Sequence, residues 1–307
     1  MTPGMIRTVL GDITPPTGPI LAHEHLQIDL SHNKGLDNVM REAEAAAVAF
    51  DLRETKAAHG LALVADMSVP GSGRNPVVLR DLSRESGVSV VCATGFYWEP
   101  FPALVNAVSR AELAAIMVGE IETGIGETGI RCGVIKVGTA PGAPDAAAEA
   151  LFRAAVDAAK ATGAAIVTHT SHAEQAFWQL DLLRDEGMDL SRVVISHLHK
   201  LQDFADLLRV LETGVFVGFD QLGFKKGPPI AQIADWAMQI LVLGHGHQLL
   251  LSADIARKSR LLAHGGVGYA TTFTEFLPLL RARGASEAQI DQLMVAGPAR
   301  MLALRPV

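Results

Sequence analysis

The chain has 307 residues, 49% hydrophobic, 19% charged and 5% aromatic, with a formal net charge of −7. Such a chain buries a large core, as one barrel or two medium domains, and its composition excludes a disordered or fibrous protein. With no basic run longer than "RKSR" (257–260) in an acidic chain, a nucleic-acid partner is not expected.

The N-terminal "MTPGMIRTVLGDI" has no charged start leading into a long apolar stretch, so no secretion signal is read there. No stretch approaches the ~18–20 uninterrupted apolar residues of a membrane span. Cytoplasmic residence is expected, with Cys92 and Cys132 as buried free thiols in a reducing compartment. Short apolar runs then follow: "PILAH" (19–23), "LALVADM" (61–67), "VSVVCAT" (88–94), "CGVIKVG" (132–138), "AAIVTHT" (164–170), "RVVISH" (192–197), "GVFVGFD" (214–220) and "QLLLSAD" (248–254). Between them lie helix-period stretches such as 144–163, with Asp145 as N-cap and Gly163 as stop, and 229–244. Eight near-continuously apolar strands alternating with helices predict a parallel sheet covered by helices, and at this length a single-domain (β/α)8 barrel over residues 1–307. A doubly wound open sheet competes, but no Gly-x-Gly-x-x-Gly turn follows the first strand.

In such a barrel, catalytic groups stand at the carboxyl ends of the strands. His23 and His25 close the first run, in "ILAHEHLQID" (20–29), where alternation in an extended strand puts both imidazoles on one face. Alone, the pair reads as a metal grip or as two structural histidines. Lys136 lies in the fourth run, His169 ends the fifth, His197 the sixth and Asp254 the eighth. Six ionisable residues thus fall at the ends of five strands. Lys136, between Ile135 and Val137, is costly to bury as an ammonium. It reads as one half of a buried ion pair with an aspartate, or as a neutral amine converted by carbon dioxide to a carbamate.

Several longer stretches carry a resemblance. "VLGDITP" leads to "AHEHL", and "GRNPVVLRDLSRESGVSVVCATGFY", "EIETGIGETGIRCGVIKVGT", "THTS", "SHLHK", "GVFVGFDQLG", "LLLSADIARKS" and "GGVGY" follow. The sequence resembles the phosphotriesterase-like family of the amidohydrolase superfamily over nearly its whole length. The resemblance implies a binuclear metal hydrolase on a (β/α)8 barrel, with two divalent ions per chain. His23, His25 and Asp254 would hold the more buried ion and His169 and His197 the more exposed one, with a carboxylated Lys136 bridging them. Zinc is the first expectation, and imidazole with carboxylate also suits manganese, cobalt or iron.

The chain departs from the family near the mouth of the site. His199 replaces an aspartate in "HLH", Ala253 precedes Asp254 where many relatives carry His or Asn, and Gln221 stands where several lactonases have arginine. Asp254 is the expected proton acceptor and donor, and Tyr97 matches a tyrosine that lies over the exposed metal in lactonase relatives. Lys225 and Lys226 in "GFKKG", with Arg257, Lys258 and Arg260 in "DIARKSR", put cations around one mouth of an acidic protein. Lys225, Arg257 and Arg260 are the candidate substrate-binding residues, Lys226 and Lys258 reading as solvated charge.

The expected activity is a lactonase opening a small lactone, with a phosphate or carboxylate as its candidate anionic group, and weak or no phosphotriesterase activity. The alternative is an amide hydrolase acting on N-acyl amino acids. A metal-free binding relic of the fold is the reading from a different class. His172 and His199, after ligand-bearing strands, are candidate outer partners. His32, His59, His245, His247 and His264 read as exposed, and a homodimer is expected.

Overall fold

A computed structural model describes residues 4–97, 101–140, 142, 144–224 and 227–306, without the side chain of Asn33. Each apolar run forms a strand: β1 Ile20–Glu24, β2 Leu63–Asp66, β3 Ser89–Gly95, β4 Val134–Lys136, β5 Ala165–Val167, β6 Val193–Ile195, β7 Phe216–Phe219 and β8 Leu249–Leu251. They form one sheet in chain order, neighbour pairing with neighbour, every pair parallel. The expected barrel architecture is present.

Strand alternation divides the core into two layers. Ile20, Leu63, Ala65, Val91, Val134, Val194 and Leu250 fill the barrel interior, where Ile6, Met301 and Leu302 join them. Leu21, Val64, Val90, Ile135, Ile195 and Leu249 face the helices. Those helices are α1 Ala45–His59, α2 Pro76–Ser86, α3 Arg110–Glu122, α4 Ala146–Thr162, α5 Ala173–Asp185, α6 Phe204–Leu211, α7 Ile230–Val242 and α8 Leu277–Ala282. Their ends follow local chemistry. Asp145 accepts the Ala148 amide at 2.8 Å to start α4, and Gly163, at φ 71°, ends it in the left-handed region. Ser109 and Glu112 close a capping box on α3.

Two irregularities in β1 bear on the site. Leu21 pairs with Val64 but Glu24 with Asp66, so Ala22 and His23 together stand opposite Ala65. This bulge re-aims the end of the strand, and β1 stops at Glu24, so His25 already lies beyond it. The plain alternation expected for His-x-His does not hold, although both imidazoles still reach one cavity. The other irregularity is the seam, where among the described residues no ladder joins β8 to β1. Side chains tie it instead. The His23 amide donates to Ser252 Oγ (3.0 Å), and the Ala253 and Ile255 amides donate to Glu24.

Cys92 and Cys132 are both buried free thiols, their sulfurs 4.0 Å apart.

Candidate active site

The carboxyl ends of the strands surround a cavity of about 90 Å³, lined by His23, His25, Lys136, His169, His197 and Asp254 together with Tyr97 and Gln221. The structure brings together all six residues expected to hold metal. His197 and Asp254 sit at φ 65° and 50°, conformations that cost roughly 1–3 kcal/mol each away from glycine and that cluster at functional sites.

Proton positions follow from the hydrogen-bond partners. Asp220 places Oδ2 2.9 Å from His23 Nδ1 and Oδ1 2.7 Å from His197 Nδ1, and the His197 amide also donates to Oδ1 at 2.9 Å. Burial works to raise the Asp220 pKa, but the two imidazoles outweigh it and hold the carboxyl well below its usual range. An ionised carboxylate only accepts, so both Nδ1 atoms carry the proton and both Nε2 atoms are bare. Asp220 comes this close because residue 218 is glycine, where a Cβ would stand 2.3 Å from Oδ2. For His25, Ser68 Oγ spends its proton on the Gln27 carbonyl and therefore accepts from His25 Nδ1 at 2.8 Å. That turns His25 Nε2 toward Asp254.

These atoms converge. His25 Nε2 lies 3.2 Å and His23 Nε2 3.9 Å from Asp254 Oδ1. Asp254 Oδ1 is buried and receives no hydrogen bond among the described residues, while Oδ2 accepts from Gln221 Nε2 at 2.7 Å. His23, His197 and Asp254 offer ligand atoms that all lie within 4.8 Å of one another. His169 Nδ1 faces His197 Nε2 at 2.8 Å and the Tyr97 hydroxyl at 3.2 Å. Buried acceptors turned toward one another repel unless a cation lies among them. The donor set fits divalent ions, and the outer bonds to Asp220 and Ser68 are the kind that orient imidazole ligands.

The electrostatics keep His23, His169 and His197 neutral. Burial takes His197 down to about 3, and burial followed by the charge of Lys136 lowers His23. Burial and then His197 put His169 well below its ordinary value. Burial brings Lys136 down to about 8 against the opposing pull of Asp220 and Asp254. Its Nζ donates to the Thr168 carbonyl at 3.1 Å and lies 3.4 Å from His23 Nε2. Burial and then Asp254 raise Tyr97 well above its ordinary value, so its hydroxyl stays a donor.

The phosphotriesterase family description matches residues 4–302. The chain belongs to the phosphotriesterase family. It is 37% identical to the phosphotriesterase homology protein of Escherichia coli, over 93% of this chain and 98% of that one. The crystal structure of the E. coli protein, complexed with phosphate in its active site, superposes with a TM-score of 0.89 at 36% identity, covering 94% of this chain and 99% of that one. A mutant of a phosphotriesterase-like lactonase from Deinococcus radiodurans gives 0.85 at 30% identity, covering 97% and 99%. N-acetyltaurine hydrolase of Bos taurus is 28% identical over 98% of this chain and 99% of its own. The chain is a hydrolase of the phosphotriesterase family.

The predicted cations separate on inspection. Arg257 lines the cavity and also a neighbouring one of about 570 Å³ that shares Phe224 with it, and its Nε receives no partner among the described residues. Arg260 gives its fork to the carbonyls of Ala253 (2.7 Å) and Leu222 (2.8 Å), so it braces the loops after β7 and β8. Lys225, and Lys226 beside it, lie outside the described residues. His172 is exposed at the start of α5, while His199 is buried against Phe219 with Nδ1 unpartnered among the described residues. Sequence reasoning missed Asp220, Ser68 and Lys34. Asp220 ends the seventh apolar run and answers to the same strand-end test as His197. Lys34 reaches the cavity from the end of a one-turn helix after β1, Ser31–Lys34, too short to show a periodic signal.

Proposed function

We propose that this hydrolase is a binuclear metal enzyme that opens a small lactone bearing an anionic group. The observation that supports it most is the inward convergence of atoms of ligand type, His23 Nε2, His25 Nε2, His197 Nε2 and Asp254 Oδ1, each on a side chain oriented by an outer bond. His23, His25 and Asp254 would hold one ion, His169 and His197 a second, and Lys136, as its carbamate, would join the two. Zinc heads the candidates. A buried amine titrating near 8 keeps an appreciable neutral fraction, the form that adds to carbon dioxide. When bound, the ions supply an activated water and polarise the substrate carbonyl.

The chain's own residues do the rest. Asp254, with Oδ1 turned toward the ions, takes a proton on Oδ2, whose other lone pair accepts from Gln221, and returns it to the departing oxygen. Tyr97 offers its hydroxyl proton beside His169. Arg257, on the wall shared by the two cavities, meets an anion on the part of the substrate that extends beyond the reacting carbonyl.

Amide hydrolysis of an N-acyl amino acid is the second reading, favoured by the relation to N-acetyltaurine hydrolases along nearly the whole chain. The same Asp254 would protonate a leaving amine. Assays of zinc- or manganese-loaded protein against lactones with and without a phosphate or carboxylate, and against N-acyl amino acids, separate the two. Fast turnover of anionic lactones supports the first reading, and turnover of amides alone replaces it with the second. Neither turnover nor retained metal would leave a binding relic.

A further inference from the structure

Glu24 stands between His23 and His25 but faces away from the cavity, into the seam between β1 and β8, fully buried. Its Oε1 accepts the Ala253 amide and its Oε2 the Ile255 amide, each at 2.7 Å. These amides flank Asp254 on both sides, and Asp254 is held at φ 50°. The relation is reciprocal. The two carboxyl oxygens of Glu24 grip the backbone around Asp254, while the imidazoles on either side of Glu24 approach the Asp254 carboxylate. The intervening Ala253–Asp254 peptide is held too, because Arg260 donates to the Ala253 carbonyl.

We infer that Glu24 is a positioning residue for Asp254: its two-pronged grip on the flanking amides holds Asp254 in the left-handed conformation that turns Oδ1 toward His23 and His25. The physical argument is directional. A left-handed aspartate relaxes toward the more populated β or α regions unless its neighbours prevent it, and a rotation at residue 254 swings one flanking amide away from the other. One planar carboxylate receiving both amides forbids that swing. A glutamine in its place keeps the shape but presents an NH2 donor to one of two N–H donors, so one prong is lost. This inference rests on Asp254 being a metal ligand.

The test is a double-mutant cycle read by zinc affinity, measured by chelator competition on the full-length protein. Glu24→Gln should weaken zinc binding by roughly ten- to hundredfold, the usual loss when a ligand's outer support goes. In an Asp254→Ala background the same change should cost less than about threefold, since there is no carboxylate left to position. Ser252→Ala removes another seam bond, from the His23 amide at 3.0 Å, without touching either amide that Glu24 holds, and should leave affinity within about threefold. If Glu24→Gln does not fold, Glu24→Asp, with both acceptor oxygens one methylene short, takes its place and must show the same dependence on Asp254. Equal losses in both backgrounds, or a Ser252→Ala loss matching that of Glu24→Gln, would overturn the inference in favour of simple seam closure. Failure of the wild-type protein to bind zinc at all would instead overturn the metal reading beneath it.

Discussion

His197 Nε2 lies 2.8 Å from His169 Nδ1, and both rings are buried. Because Asp220 takes the proton on His197 Nδ1, the His197 nitrogen facing His169 is an acceptor. A neutral His169 satisfies it by donating from Nδ1, and in the metal reading a cation takes the place of that proton while both rings stay neutral, as burial and mutual repulsion favour.

Purified protein grown with zinc or manganese should therefore carry close to two divalent ions per chain. Elemental analysis measures it. Repeated recovery of metal-free protein would sink the enzyme mechanism along with the site.

The neutral imidazoles also set an acid limit. His197 titrates near 3 in the fold against an ordinary 6.5, and His23 and His169 shift the same way. Between those two values the unfolded chain binds protons that the folded chain refuses. Stability is thus complete above 6.5 and is lost as pH falls toward 3, by up to about 1.4 kcal/mol per pH unit for each such histidine. Thermal melts of chelator-treated protein between roughly pH 7.5 and 5 should show Tm falling steadily. A flat profile would mean that these rings are not held neutral.

Replacing Lys136 with alanine should abolish metal retention and turnover, and short-chain carboxylates added with metal should restore part of both. A Lys136→Ala variant with normal turnover would rule out a bridging carbamate.

Asp254→Asn keeps an oxygen near His25 but removes the proton acceptor, so kcat should fall by roughly 10²–10⁴. A rise in KM alone, with kcat unchanged, would reduce Asp254 to a ligand.

Arg257→Ala should cost about 2–4 kcal/mol in kcat/KM for a lactone bearing a phosphate or carboxylate, and little for a neutral lactone of similar size. Added salt should weaken the charged substrate selectively. Equal losses for both substrates would make Arg257 a loop support and end the case for an anionic substrate.

Much of this was legible before any coordinates because barrel strands are buried on both faces, so a charged residue ending an apolar run needs a chemical reason. Lys136, His169, His197 and Asp254 each stood out on that ground. Asp220 passed the same test unnoticed, since an aspartate after an apolar run also reads as an ordinary turn residue. The direction of Glu24 was legible in kind but not in partner. Plain alternation puts it opposite His23 and His25, a pattern the bulge breaks although the outcome for Glu24 is the same, and the seam it closes depends on strands over 200 positions apart. The bulge at Ala22 and His23 left no mark either, because register is a property of two strands together. Arg260 was grouped with Arg257 by its charge, and only the loop path reveals that its fork goes to carbonyls.

His197 and Asp254, at φ 65° and 50°, also make the protein's evolutionary interests diverge. Glycine at either position would relieve backbone strain of roughly 1 kcal/mol or more. A library screened only for heat tolerance should therefore enrich glycine at 254 and drift into inert barrels, whereas glycine at 197 would strip buried Asp220 of a partner. A screen for turnover should hold aspartate at 254 against that gradient. Sequencing both pools would reveal at which positions durability and chemistry compete.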